Sequence, residues 1–332
     1  MTDFCTGSRT VVGAVLTLSL WLSTAGQSAR AVEGVECQGL ANASAAVRVG
    51  ANRILVGADE NNALLLYDAT TGGAPLKVFP TLQWLGLPPG GGEADLEGAA
   101  RVGDVLYWIG SHARNKNGKR RPERQRLMGL RVSQEEGDVQ LTPVAGPVST
   151  LLEQLTADPG LRPFDLAAAA ELPPEAPGGL NIEGLAATAE GGLWIGFRSP
   201  VPDAHALLVP LLNPVEVLNQ KPARWGDPAR VDLGGKGIRD LVWTGREYFI
   251  LAGSPDDGGR TKLMRWGGAG QAAVPIKVPG LKDLNPEALV VFGTPDKPRL
   301  LILSDDGNRK SNETRDLSQR TFRMLWVSLD GG

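Results

Sequence analysis

Five short stretches of the chain are apolar at almost every position: Ile54-Leu55-Val56, Val105-Leu106-Tyr107-Trp108-Ile109, Leu193-Trp194-Ile195-Gly196-Phe197, Tyr248-Phe249-Ile250-Leu251-Ala252 and Leu300-Leu301-Ile302-Leu303. A strand with one face in water alternates apolar and polar residues, whereas unbroken apolarity marks a strand covered on both faces. Across a turn, each run is preceded by a recurring segment. The copies read Asp95-Leu96-Glu97-Gly98-Ala99, Asn181-Ile182-Glu183-Gly184-Leu185, Gly237-Ile238-Arg239-Asp240-Leu241 and Asn285-Pro286-Glu287-Ala288-Leu289, with a degenerate one, Asn42-Ala43-Ser44-Ala45-Ala46, ahead of them. Recurrence at roughly 40–50 residues per unit is the period of β-propeller blades.

Each unit offers four strands. The first has 44–49, 53–58, 63–68 and 75–79, and the second 97–102, 105–110, 126–132 and 139–143. The third has 183–188, 193–198, 205–211 and 229–233, and the fourth 239–243, 247–252, 261–266 and 274–278. The last copy supplies only 287–292, 299–304 and 323–329, so residues 34–39, which have no other partner, are expected to complete it and close the ring. Residues 144–180 break the period. Their composition around Leu151–Leu155 and Leu166–Ala170 favours helix, with Ser149 and Asp165 as candidate caps, and predicts an insertion and not another blade. The fold read from the pattern is therefore all-β: one propeller of five four-stranded blades over residues 32–332. Six blades is the alternative count.

The first residues stand apart. Arg9, the apolar stretch Val11–Leu22 and the small-residue site Ala29-Arg30-Ala31 have the order of a secretory signal peptide, so residues 1–31 are expected to be removed by cleavage near Ala31 and the protein exported to the periplasm or medium. No stable membrane insertion is expected after cleavage. The formal net charge is −3 and becomes slightly more negative once Asp3, Arg9 and Arg30 are lost, which argues against nucleic acid as a partner. Cys37 then has no second Cys with which to pair, so stability must come from packing, and a monomer is expected.

In an up-and-down blade, the entry to the innermost strand and the loop after the second strand share one rim. The repeated segments open the innermost strands, which places Glu97, Glu183, Arg239 and Glu287 around one mouth of the central channel, with Asp240 beside them. The loops that overhang this mouth carry Ser111-His112-Ala113-Arg114-Asn115, Arg198-Ser199 and Ser304-Asp305-Asp306. The insertion 144–180 emerges at the same rim, where it could act as a lid. Carboxylates gathered at one place repel each other, and they are relieved by protonation, by a cation or by basic neighbours. Glu97, Glu183 and Glu287 are thus candidate ligands for Ca²⁺ or Mg²⁺, since the set is oxygen-rich and lacks thiolate or paired His. His112 is the candidate acid or base. Arg114, Asn115, Arg198, Arg239, Asp240, Asp305 and Asp306 are candidate contacts for a ligand. An equally simple account has each Glu hold its own strand while the small residue after it lets blades approach. No Gly-x-Ser-x-Gly, phosphate-loop, His-Glu-x-x-His or Cys-x-x-Cys motif is present.

Together, the Asp95–Asn115 region and the repeats at Asn181–Leu185, Gly237–Leu241 and Asn285–Ala288 resemble the bacterial family known as domain of unknown function 3616 over nearly all of the chain beyond the leader. The resemblance implies a secreted or periplasmic propeller. The Glu-Gly pattern is similar, more distantly, to the phytase-like or esterase-like propellers, which implies cation-aided phosphoester hydrolysis. Because the shared motif also fits blade architecture, no catalytic residue carries over. Two readings stay open. In one, the mouth binds a small polar or anionic ligand or an exported protein partner. In the other, Glu97, Glu183 and Glu287 hold a cation that activates water, His112 moves the proton, and Arg114, Arg198 and Arg239 steady a phosphoester or ester.

Overall fold

The structure is a computed structural model describing residues 1–2 and 30–329, except 59, 60, 136 and 257. Most of the expected leader lies outside the described residues. Among those described, no helix is long and apolar enough to cross a membrane.

Five four-stranded antiparallel sheets form the blades of a propeller. From the axis outward, the first is Ala45–Arg48, Arg53–Gly57, Ala63–Asp68 and Lys77–Pro80. The second is Leu96–Val102, Val105–Gly110, Leu127–Glu135 and Asp138–Pro143. Asn181–Ala187, Leu193–Ser199, Ala206–Leu211 and Ala229–Val231 make the third. Gly237–Trp243, Tyr248–Gly253, Lys262–Trp266 and Ala273–Ile276 make the fourth. The fifth joins Pro286–Thr294, Lys297–Ser304 and Thr321–Ser328 to the N-terminal strand Arg30–Gln38. The innermost strands neighbour one another in sequence order, and the fifth returns to the first.

The continuous apolar runs are explained by where they sit. Five hydrophobic clusters occupy the five blade-to-blade interfaces, and alternate residues of each second strand point into different clusters. Leu106 and Trp108 pack toward the first blade, for example, while Tyr107 and Ile109 pack toward the third. Trp194 meets Trp266 of the fourth blade with ring centroids 6.0 Å apart and donates from Nε1 to Tyr248 Oη at 3.2 Å.

Closure of the ring follows the expected route, and the closing strand starts earlier than 34–39. Val35 faces Met324 and Cys37 faces Phe322 in an antiparallel ladder. The same segment is tied to the first blade, where Gln38 N donates to Gly73 O at 2.8 Å and Tyr67 Oη donates to Gln38 O at 2.7 Å. Cys37 is buried, and that burial pushes its thiol up to about 12, so it behaves as a small apolar residue.

The insertion is helical in part, with helices at Leu151–Ala157 and Leu166–Ala169 and a 3-10 segment at Pro159–Phe164. The expected caps are not made. Thr150 occupies the first cap position without a side-chain bond to the helix backbone, and Asp165, in the left-handed region, caps nothing with its carboxylate. Leu151, Leu155, Leu161 and Leu166 instead sink into the cluster between the second and third blades. Packing, not capping, holds this segment.

Deleting residues 1–43 should remove the closing strand and abolish cooperative thermal unfolding monitored by circular dichroism; a deletion variant as stable as the parent would refute closure by this strand. Gly98 sits where blades meet. A Cβ there would lie 2.9 Å from Ile109 Cγ2, 3.0 Å from Leu185 Cβ and 3.1 Å from Glu183 O. Gly98→Ala should therefore cost about 1–3 kcal/mol in denaturant unfolding, the usual range for overpacking.

Candidate functional site

The repeated motif has a structural cause that pairing reveals. In the second blade Leu96 faces Gly110 and Gly98 faces Ile109, so Glu97 is an extra residue in the inner strand. The same one-residue shift isolates Glu183, Arg239 and Glu287 in the next three blades. Such bulges leave one residue out of the ladder and re-aim its side chain. The first blade pairs without a shift, which accounts for its degenerate motif. Each bulge lies at the same end of its inner strand, so these four side chains begin at one level around the channel.

Two of the acids are steadied from two residues upstream. Asn181 Nδ2 donates to Glu183 Oε1 at 2.8 Å, and Asn285 Nδ2 donates to Glu287 Oε1 at 3.4 Å. The second blade has Asp95 at this position, which as a carboxylate cannot donate. It accepts instead from Ser111 Oγ and from Arg124 Nη1, the latter at 2.7 Å. Asp95 holds φ of 54°, in the left-handed region that Asp tolerates better than most residues. The Asx-x-Glu spacing was visible in the sequence; the partnership of Arg124 with Asp95 was not.

Arginines then tie the mouth together. Glu183 accepts from Arg198 Nη1 at 2.8 Å, both side chains being nearly excluded from solvent. Arg198 reaches across to the fourth blade, donating from Nε to Ser254 O and from Nη2 to Asp256 O, each at 3.0 Å. Arg239 of the fourth blade donates from Nη1 to Glu287 Oε1 of the fifth. Asp305, beside Glu287, accepts from Gly307 N at 2.8 Å and from Asn285 Nδ2 at 3.3 Å.

These groups do not balance. Asp95, Glu183 and Glu287 each have one guanidinium, and Asp305 adds a further carboxylate. Burial pushes the Glu287 carboxyl up to about 8, with Asp305 and Glu183 adding to the shift and Arg239 opposing it. Burial raises Asp95 and Asp305 as well. Arg239 is held more firmly protonated: its burial works the other way, and the carboxylates of Glu287 and Glu183 outweigh it.

Several residues expected at the mouth serve the scaffold. Asp240 is buried and accepts from Leu241 N at 2.8 Å and Leu289 N at 2.7 Å, stitching the fourth blade to the fifth; burial holds its carboxyl well above the usual range. Asp306 accepts from Arg323 N, Nε and Nη2 at 3.0, 2.9 and 2.7 Å and from Ser304 Oγ at 3.0 Å, which fills its oxygens. Arg114 grips the insertion, donating to Ala170 O at 2.9 Å, Gly118 O at 3.0 Å and Glu171 Oε2. Asn115 Oδ1 closes its own turn by accepting from Asn117 N and Lys119 N.

His112 is enclosed, with φ of 56°. Its Nδ1 lies 2.8 Å from Gly110 O and so carries the proton, while Nε2 is buried without a partner. Burial pulls its pKa down to about 4, leaving it neutral at neutral pH. As for the expected metal ligands, no group of three or more His, Cys, Asp or Glu side chains among the described residues is gathered closely enough to hold an ion. Glu97, Glu183 and Glu287 stand in separate blades, and the last two already face guanidinium groups.

Beside the mouth, a cleft of about 520 Å³ runs between the insertion and the loops of the third and fourth blades, bounded by Phe164, Ala168, Leu172, Pro200, Pro255 and Asp256. The insertion forms one wall of this cleft and is packed down by its leucines and by Arg114.

A family profile described as protein of unknown function (DUF3616) matches residues 42–142 and 131–313. No curated protein matches. Among solved structures, the major allergen Mala s 1 of Malassezia sympodialis aligns with a TM-score of 0.51 at 9% identity, covering 89% of this chain and 96% of that one. Glutaminyl cyclase of Myxococcus xanthus aligns with a TM-score of 0.44 at 11% identity, covering 91% and 100%. The PQQ-bound aldose sugar dehydrogenase of Streptomyces coelicolor gives 0.44 at 13%, covering 89% and 98%. At such identities the likeness concerns the fold alone.

The raised carboxyls fix the sign of a pH effect. Between the ordinary Glu value near 4.5 and about 8, folded Glu287 keeps a proton that the unfolded chain has released. Its contribution to stability is thus complete below the lower value and is lost as pH rises through the upper one. Glu287→Gln cannot ionise. The melting temperature of the variant minus that of the parent should grow more positive from about pH 5 to about pH 9; a difference independent of pH would show that Glu287 titrates normally.

Proposed function

Because the chain belongs to the DUF3616 family, whose description assigns no activity, we propose from the geometry of the mouth that it is an exported binding propeller for a small polar ligand. The observation that carries this is the excess of carboxyl groups: among the described residues Arg124, Arg198 and Arg239 are each engaged by one, and Asp305 stands without a guanidinium partner beside Glu287, which burial keeps protonated at neutral pH. Guanidinium groups already spoken for offer little to an anion. A hydroxyl-rich or amine-bearing ligand suits the site better, since it can donate to the carboxylates of Asp305 and Glu183. The adjoining cleft has a volume in the range of small-molecule sites, about 300–1,000 Å³.

Glu183 and Glu287 stand on strand bulges, where a binding geometry is held more firmly than on loops. It asks nothing of His112, which is neutral and enclosed.

Thermal-shift titration with monosaccharides, polyols and a short diamine tests it. At least one class should raise the melting temperature saturably, and Asp305→Asn with Glu183→Gln should weaken that binding by about tenfold or more, the expected loss for charge-assisted hydrogen bonds. Stabilisation only by phosphate or carboxylate anions, unaffected by these changes, would overturn the reading.

A further inference from the structure

At the end of the channel opposite the acidic mouth lies a cavity of about 670 Å³, lined by the second halves of all five inner strands. Its side chains are mostly small or apolar, among them Val47, Ala99, Leu185, Leu241 and Val291, with Trp243 on one wall. The innermost strand of each blade has a sheet partner on one side only, so its other edge presents backbone N–H and C=O groups toward the axis. The chamber therefore combines apolar side chains with polar backbone, and a pure hydrocarbon would leave those groups unsatisfied at a cost.

The charge on this cavity is of one sign. Arg48 and Arg101 are its charged lining residues among those described, and no acidic side chain lines it. They occupy equivalent places in adjacent blades, within Arg48-Val49-Gly50 and Arg101-Val102-Gly103. Each is aimed by the same device: Arg48 Nε donates to Gly50 O at 2.8 Å, and Arg101 Nε donates to Gly103 O at 2.8 Å. The Arg48 guanidinium also lies 4.8 Å from the centre of the Phe292 ring. Asp104, the carboxylate near Arg101, is taken by Arg131 Nε at 2.8 Å. Among the described residues, neither Arg48 nor Arg101 forms an ion pair. At the mouth the guanidinium groups are paired; here two are oriented by backbone and left to face a chamber with no acid.

We propose that this far end is a second binding site, distinct from the mouth and independent of the reading given for it, which takes a compact aromatic carboxylate. The carboxylate would sit between the Nη groups of Arg48 and Arg101, which present planar donors suited to its two oxygens. The ring would lie against Trp243 and the small residues of the channel, and ordered water would keep the free strand edges satisfied.

The test uses three ligands of one shape on the purified full chain: 2-naphthoate, 2-naphthalenemethanol and 2-naphthylmethylamine, titrated calorimetrically at neutral pH. Naphthoate should bind saturably with one site and about tenfold or more tighter than the alcohol, and the amine should bind more weakly than either. Arg101 is exposed, so Arg101→Gln should fold normally and weaken naphthoate by about tenfold, and adding Arg48→Gln should bring it to the level of the alcohol. Restoring charge with Lys at both positions should recover part of the affinity. Equal binding of all three ligands, no saturable binding of naphthoate, or full affinity in Arg101→Gln would each overturn the proposal.

Discussion

Everything in this fold rests on apolar contact between neighbouring blades. A single blade has two hydrophobic faces and no means of covering either by itself. Ile54 and Val56 belong to the interface with the fifth blade, while Leu55, one residue away on the opposite face, belongs to the interface with the second. The core is thus divided into separate sandwiches, each needing both of its slices. A linear run of such blades would leave two large apolar faces in water. Ring closure removes them, and the chain achieves it by adding Arg30–Gln38 as the outer strand of the fifth blade.

That circular arrangement concentrates whatever lies at the start of the inner strands. Small residues are needed there, because blades converge toward the axis: a Cβ on Gly184 would lie 2.7 Å from both Ile238 Cγ2 and Leu241 Cδ2. The residue just before this position, which Asp240 takes in the fourth blade and a Gly or Ala in the others, is expelled from the ladder by the bulge. Charged side chains so placed cannot ignore one another. Arg239 is the case in point: it stands where its sister blades have Glu, and it donates to Glu287 of the next blade. A fourth acid in its place would have left Glu287 without that donor.

The sequence disclosed the strands because burial on both faces erases alternation, and it disclosed the insertion because Leu151–Ala157 lacks any strand pattern. It disclosed the level of Glu97, Glu183, Arg239 and Glu287 because the motif repeats. The bulges stayed hidden, since the motif that marks them becomes a register shift only when two strands are paired. The fate of individual charges stayed hidden for the same reason. Asp306 and Asp305 are adjacent and identical in type, yet Arg323 saturates the first while the second faces the mouth. Arg114 and Arg198 both lie near the rim, just before or beyond the end of a second strand; one clamps the insertion and the other pairs with Glu183. His112 was conspicuous as a rare residue type in a polar loop, and the loop folds over it.

The two ends of the channel illustrate how one scaffold can carry opposite chemistries. Along each inner strand the distance from bulge to turn is only a few residues, about 3.3 Å apiece. At the bulge end, the described carboxyl groups outnumber their guanidinium partners, and burial raises those of Glu287, Asp95 and Asp305. At the turn end, Arg-Val-Gly in the first two blades supplies positive charge, while the third and fourth carry Thr188 and Thr244 near the corresponding turns. Among the side chains that line the cavity, positive charge is thus confined to one sector of the ring. With Arg48 and Arg101 as its charged lining residues, the turn end is the more favourable one for a carboxylate. A circular fold with five similar modules would otherwise offer no such preference; the departures from its symmetry, Arg239 at one rim and the Arg48–Arg101 pair at the other, are what give the channel a direction.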